Sequence, residues 1–416
     1  MRVMNYNELS GKSILLLGKT RALNTEEFDT LLKLHKIERV GSYHDEVALI
    51  IEGRMMNPYE QAESARLYEI GDTPIVELSH FEEWLCRSIE PNRLLMSLKL
   101  SRNQERLVDF LQNPYITDEL FFKLLKLYDW QNEGLFDNDT NRDVTASIIG
   151  RFYEDLDRNH NVQYAMSGLA HLIERYGNTE LIEAIAQLAP IEREIKNPID
   201  RSYSGVLDTI ALHPDTPESL LRLLLTERSE LLAHRVPLSL EEELLKVEKL
   251  HKILAQNESL SYQGAQFLAD RAGDLLAAHI VLDEEWFDRF FPLYPVQLAS
   301  NPTLSEPMQE TLMQSENEEV LNALASNSAL SSIRCAYLQS LGRFSAALAA
   351  NPSLPDTIME ELSKSNDPTV LMALAANPAT PIAVLYQLSL DQRFERSVKT
   401  NPTFGKHIQT HNIGWS

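Results

Sequence analysis

Gly18-Lys19-Thr20 follows the apolar run Ser13-Ile14-Leu15-Leu16-Leu17 and has the residue types of the tail of a phosphate-binding loop. A loop that wraps phosphates with backbone N–H groups needs a second glycine five positions upstream. That position is Ser13, inside the run, so the residues predict a turn at a strand end rather than a nucleotide site. Asp137-Asn138-Asp139-Thr140-Asn141 and Asp155-Leu156-Asp157-Arg158-Asn159 alternate oxygen-bearing side chains like the start of a calcium loop. Over residues 137–143 and 155–161 the glycine of that loop is replaced by Arg142 and His160, and its bidentate glutamate falls on Ile148 and Met166. Helix capping by Asp and Asn is therefore the expectation there, with weak surface calcium binding as the alternative. His160 and His171 lack the i, i+4 spacing of a metal pair, and neither has a cysteine nearby. The sequence contains no Gly-x-Ser-x-Gly and no His-Glu-x-x-His. Glu241-Glu242-Glu243 and Glu318-Glu319 read as solvated helix starts favoured by the helix dipole. No catalytic residue, cofactor site or metal site is assigned, and no enzymatic activity is expected.

The elements that would position any such residues repeat. Ala350-Asn351-Pro352-Ser353-Leu354-Pro355 and Ala376-Asn377-Pro378-Ala379-Thr380-Pro381 are the clearest copies of one phrase, and weaker copies centre on His213, Arg235, Asn257, His279, Asn301, Asn327 and Asn401. Successive anchors lie 22 residues apart up to Asn301 and 24 or 26 apart beyond it. A period of that length marks a solenoid, in which each unit buries its apolar face only against its neighbours. Each unit opens with a short apolar helix, as in Val320-Leu321 with Leu324-Ala325. The anchor Asn tolerates the left-handed conformation that can end a helix, while the following Pro forbids helix and restricts the Asn toward extended backbone; the two roles partly conflict, and the alternative is that the Asn side chain satisfies the turn. Three residues on comes an apolar group such as Leu304, Leu330, Leu354 or Phe404. The next residue is read as a helix cap: Ser239 (in a capping box with Glu242), Ser261, Asp283, Ser305 or Ser331. In Thr216-Pro217 and Thr380-Pro381, Thr is read as the cap ahead of Pro at the first helical position. Leu354→Ala is expected to cost about 2–5 kcal/mol, and Asn351→Ala on the order of 1 kcal/mol.

Two short helices per repeat and the Asn-Pro-x-Thr-Pro phrase resemble the leucine-rich repeat variant (LRV) family, a right-handed superhelix akin to HEAT repeats, over about half the chain from Ser204 to Gly405. The family includes a member with a cysteine-ligated iron–sulfur cluster. This chain offers only Cys86 and Cys335, too few and too far apart for a cluster or a disulfide framework.

The first ninety residues alternate differently. Ser13–Leu17, Val47–Ile51 and Pro74–Val76 read as buried strands; Thr25–Leu34, Tyr59–Tyr68 and Phe81–Cys86 read as helices, which together imply a small parallel α/β sheet. The order, with Leu9-Ser10-Gly11-Lys12, Gly18 and Phe81-Glu82-Glu83-Trp84-Leu85, resembles a BRCT domain across residues 8–90. Gly18 and Trp84 are the core positions that the resemblance implies. Phosphopeptide-binding members carry Ser or Thr just before the glycine that ends strand one. Here that residue is Leu17, so phosphate capture is not expected.

The expected organisation is a BRCT-like α/β domain over 1–92, irregular helices over 93–203 and the repeat solenoid over 204–416. Asn113-Pro114-Tyr115-Ile116-Thr117 supplies one early copy of the repeat phrase, Asn132–Asp143 reads as an exposed loop, and Ile195–Arg201 as a linker. Net charge is −23, heaviest over the middle of the chain, which opposes the phosphate neutralisation on which non-specific nucleic-acid binding rests. The N-terminus lacks the apolar run of a signal peptide and no stretch suits a membrane helix, so a soluble cytoplasmic protein is expected. The function expected is that of an adaptor binding a protein with a basic patch. A nucleic-acid maintenance role is the alternative, since both resemblances occur among DNA-repair proteins.

Overall fold

The computed structural model describes residues 5–154, 162–198 and 201–411, apart from the side chain of Leu238. The chain is mainly α-helical with a small parallel sheet near the N-terminus, and it divides into two compact units, Met1–Glu227 and Arg228–Ser416.

The first unit opens with β1 (Ser13–Leu17), α1 (Thr25–Leu34), β2 (Glu38–Val40), β3 (Val47–Glu52), α2 (Pro58–Ile70), β4 (Ile75–Glu77) and α3 (Leu78–Arg87). The strands lie parallel in the order β2-β1-β3-β4, with Leu15 beside Val40 and Ile50, and Ile51 beside Val76. Parallel strands need cover on both faces, which is why β1 and β3 are apolar runs. Leu15, Leu17, Val47 and Ile50 meet Leu67 of α2, while Phe28 of α1 and Phe81 of α3 pack with ring centroids 6.0 Å apart. The sequence reading lacks β2. Glu38-Arg39-Val40 is short and charged, as edge strands are, and carries no apolar signal.

Further along this unit the structure corrects two readings. Asn132–Asp143 is not simply an exposed loop: Leu135 and Asn141 are buried, and a helix runs over Asp139–Phe152. Ala189–Lys196 is a helix with Pro190 in its first turn, so the stretch read as a linker begins inside an element.

In the second unit short helices alternate in two sets. One set, Gly273–His279, Pro295–Ser300, Glu318–Ala325, Ser345–Ala350, Pro368–Ala376 and Gln392–Thr400, packs each member on the next. All but the last of these helices carry a Leu-Ala pair, such as Leu348-Ala349 and Leu374-Ala375, that is buried. The other set, Glu284–Phe290, Glu306–Met313, Ser332–Ser340, Asp356–Leu362 and Ile382–Ser389, alternates with it along the chain. Among the described residues no helix is long and apolar enough to cross a membrane.

Candidate functional site

The anchor asparagines of the second unit form a continuous hydrogen-bonded ladder. Asn301, Asn327, Asn351, Asn377 and Asn401 are all buried, although a carboxamide is costly to bury without partners. Each has them. The Nδ2 of Asn327 donates to the carbonyls of Ala299 and Asn301; Asn351 donates to Ala325 and Asn327, Asn377 to Ala349 and Asn351, and Asn401 to Ala375 and Asn377, all at 2.7–3.0 Å. The Oδ1 atoms accept from the N–H two residues on, Ala329, Ser353, Ala379 and Thr403, at 2.8–3.0 Å. Each anchor therefore closes its own turn and ties its repeat to the one before.

Proline decides the backbone. Asn301, Asn351, Asn377 and Asn401 have φ between −72° and −68° and ψ between 117° and 124°, the extended geometry imposed by a following Pro, not the left-handed form of a helix end. Past the anchor, Leu304, Leu330, Leu354 and Phe404 are buried. A further tie comes from buried Gln309, whose Nε2 donates to the carbonyls of Leu304 and Ala329 at 3.1 and 2.8 Å.

The weaker anchors depart from the pattern by degrees. Asn257 is half-buried; its Oδ1 accepts from Ser259 N–H at 2.8 Å and its Nδ2 donates to the His234 carbonyl. His213 imitates the turn contact with a ring nitrogen, Nδ1 accepting from Asp215 N–H at 3.2 Å. His279 is one residue out of register: it ends its helix, and Ile280 takes the extended position whose carbonyl accepts from Asn301 at 2.8 Å. In the first unit Asn113 repeats the turn bond, accepting from Tyr115 N–H at 2.9 Å, and donates to Cys86 Sγ at 3.3 Å.

Several cap assignments change. Ser261 and Asp283 cap their helices, accepting from the N–H groups of Gly264 and Trp286. Ser305 and Ser331 occupy the cap position without that bond. Thr216 and Thr380 face backward: their hydroxyls donate to Ile210 and Leu374 carbonyls in the last turn of the preceding helix at 2.5 and 2.6 Å, adding a second bond to carbonyls that also accept from the His213 and Asn377 N–H groups. A 3-10 turn over Leu238–Leu240 puts Leu240, not Ser239, at the cap position of the helix Glu241–Leu245.

At the N-terminal sheet, Gly18 has φ +87°, and a Cβ there would lie 2.6 Å from the Arg54 carbonyl, so both conformation and space require glycine. Trp84 is half-buried, its ring packed with Tyr6, His35 and Phe81 at 5.5, 4.5 and 5.4 Å. The donors that a phosphate at the end of β1 would need are engaged by carboxylates. Gly18 N–H donates to Glu60 Oε1 at 3.1 Å, and Arg21, Ala22 and Leu23 N–H donate to fully buried Glu82 at 2.9–3.2 Å. Sequence reasoning overlooked Glu82. Its signal was an acidic residue at an inward helical position among Phe81, Leu85 and Cys86.

The oxygen ligands at 137–143 are used locally. Asn138 caps the helix Asp139–Phe152, Asp137 accepts from Gly134 N–H, and Asn141 accepts from Tyr128 Oη at 2.7 Å and donates to the Gly134 carbonyl at 3.0 Å. The second candidate, 155–161, lies outside the described residues. Beside the first runs an open cleft of about 600 Å³, lined by Glu105, Asp109, Asp129, Glu133 and Asp143 and by no basic residue. Among the described residues no cluster of His, Cys, Asp or Glu has the arrangement of a metal site. Burial pushes the thiols of Cys86 and Cys335 up to about 11, which keeps them protonated and poorly nucleophilic at neutral pH. No family model matches the chain, nor does any curated protein or solved structure.

Proposed function

We propose that this chain is a non-enzymatic, cytoplasmic protein-binding adaptor: a right-handed α-solenoid of the leucine-rich repeat variant and HEAT type, preceded by a small BRCT-like domain. The observation that carries the reading is the asparagine ladder. It ties repeat to repeat through side chains that are consumed by structure, leaving the outer faces of the short helices to present a surface, as solenoid scaffolds do. The parallel sheet, with Gly18 closing the end of β1 and Trp84 in its aromatic cluster, supports the BRCT-like reading of the N-terminal region. The charge of −23 and the cleft in the first unit, whose charged lining residues are all acidic, support a partner with a basic contact surface.

The test is affinity capture on the full-length protein from its native cell at low and physiological salt, with reconstitution from purified components, alongside titration with duplex and single-stranded DNA. The expected result is a discrete basic partner whose binding weakens as salt rises, with DNA bound no tighter than roughly millimolar at physiological salt. Submicromolar DNA binding would overturn the reading in favour of a nucleic-acid-associated protein.

A further inference from the structure

The strand order β2-β1-β3-β4 reverses direction at β1, and the crevice beyond the carboxyl ends of β1 and β3 is where open parallel sheets place their ligands. In this chain the crevice is filled from within. The N–H groups of Arg21, Ala22 and Leu23, in the loop from β1 to α1, converge on one carboxylate, Glu82 of α3. Successive backbone N–H groups aimed at one point make a nest, a concavity suited to an anion. A carboxylate with no solvent exposure is tolerated only where such donors replace its lost hydration. Gly18 N–H, at the end of β1, is likewise held by Glu60 of α2.

We infer that the loop Arg21–Leu23 is a carboxylate-recognition nest occupied in cis by Glu82. The contact acts as an internal plug that closes the switch-point crevice to anions from solution and locks α3 to the β1 end of the sheet. The ligand class is a small carboxylate, because the native occupant is one and reaches the nest through a chain of two methylenes. Phosphate, with a larger tetrahedral head, is excluded while Glu82 is in place.

Glu82→Ala leaves a cavity that matches acetate. In the full-length chain, thermal unfolding of Glu82→Ala is compared in sodium acetate and in sodium chloride of equal ionic strength, with Glu82→Gln and the parent protein alongside. The expected result is a lowered Tm for Glu82→Ala that acetate raises in a saturable, dose-dependent way, with no acetate effect on the parent. Glu82→Gln, whose amide still offers an oxygen but fills the space, should fall between the two and ignore acetate. An equal response of Glu82→Ala to acetate and chloride would overturn the proposal, as would a Glu82→Gln variant as stable as the parent. If Glu82→Ala fails to fold even with acetate present while Glu82→Gln folds, the nest does not accept a free carboxylate and the inference fails.

Discussion

A carboxamide serves a repeat junction from both sides, because it carries two donors and an acceptor on one short planar group. Asn351 shows the consequence. Removing it takes a donor from the buried Ala325 and Asn327 carbonyls and the acceptor from the Ser353 N–H, and of the two carbonyls Asn327 keeps a bond from the Leu330 N–H. The loss is therefore larger than a single turn hydrogen bond, and Asn351→Ala should cost about 2–4 kcal/mol where turn contacts alone suggest about 1. Asn351→Asp is the sharper variant: it keeps the acceptor but turns an anionic oxygen toward two carbonyls, so it should be less stable than Asn351→Ala at neutral pH and recover on acidification. Leu354, buried beside it, should lose about 2–5 kcal/mol on truncation to alanine. His35 gives a pH signature. Its Nε2 is buried without a hydrogen-bond partner among the described residues, its ring lies 4.5 Å from Trp84, and burial holds its pKa below the ordinary 6.5. The folded state resists the proton that the unfolded chain accepts. The contribution of neutral His35 is therefore complete above 6.5 and fades as pH falls through the lower folded value. Tm of the parent should fall more steeply than that of His35→Gln between about pH 7 and pH 5; parallel curves would show that the ring is not a buried base.

At the scale of elements, Gly18 is the most constrained point of the sheet. Gly18→Ala adds left-handed strain to a clash with the Arg54 carbonyl, and should cost at least about 2 kcal/mol by denaturant unfolding. Periodicity made the core strands and most helices readable: Ser13–Leu17 and Val47–Ile51 are uninterrupted apolar runs, and Asn-Pro marks where the helices of the second unit stop. What escaped depends on contacts between residues far apart in sequence. β2 is defined by its pairing with β1 and not by its own residues. Glu82 makes sense only beside a loop some sixty positions earlier. The turn role of Asn351 was visible in its own neighbourhood, whereas the two bonds to the preceding repeat, 24 and 26 residues away, were not. Thr380 sits at a position where a cap is usual, but its hydroxyl donates back to the carbonyl of Leu374, which also accepts from the Asn377 N–H.

For the whole molecule, the ladder makes the second unit a sequence of coupled neighbours, so perturbation should travel from one rung to the next and weaken with distance. Native-state hydrogen exchange on the full-length chain reads this directly, resolving the local opening free energy of each repeat across residues 295–400. The decisive comparison is a pair of double-mutant cycles, Asn351→Ala with Asn377→Ala and Asn327→Ala with Asn401→Ala. Asn377 donates to the Asn351 backbone, whereas Asn327 and Asn401 share no partner. The ladder predicts a coupling of about 0.5–3 kcal/mol for the adjacent pair and additivity within about 0.5 kcal/mol for the separated pair. Equal, near-zero coupling in both cycles would contradict it, and would leave the repeats as independent helices without a common spine.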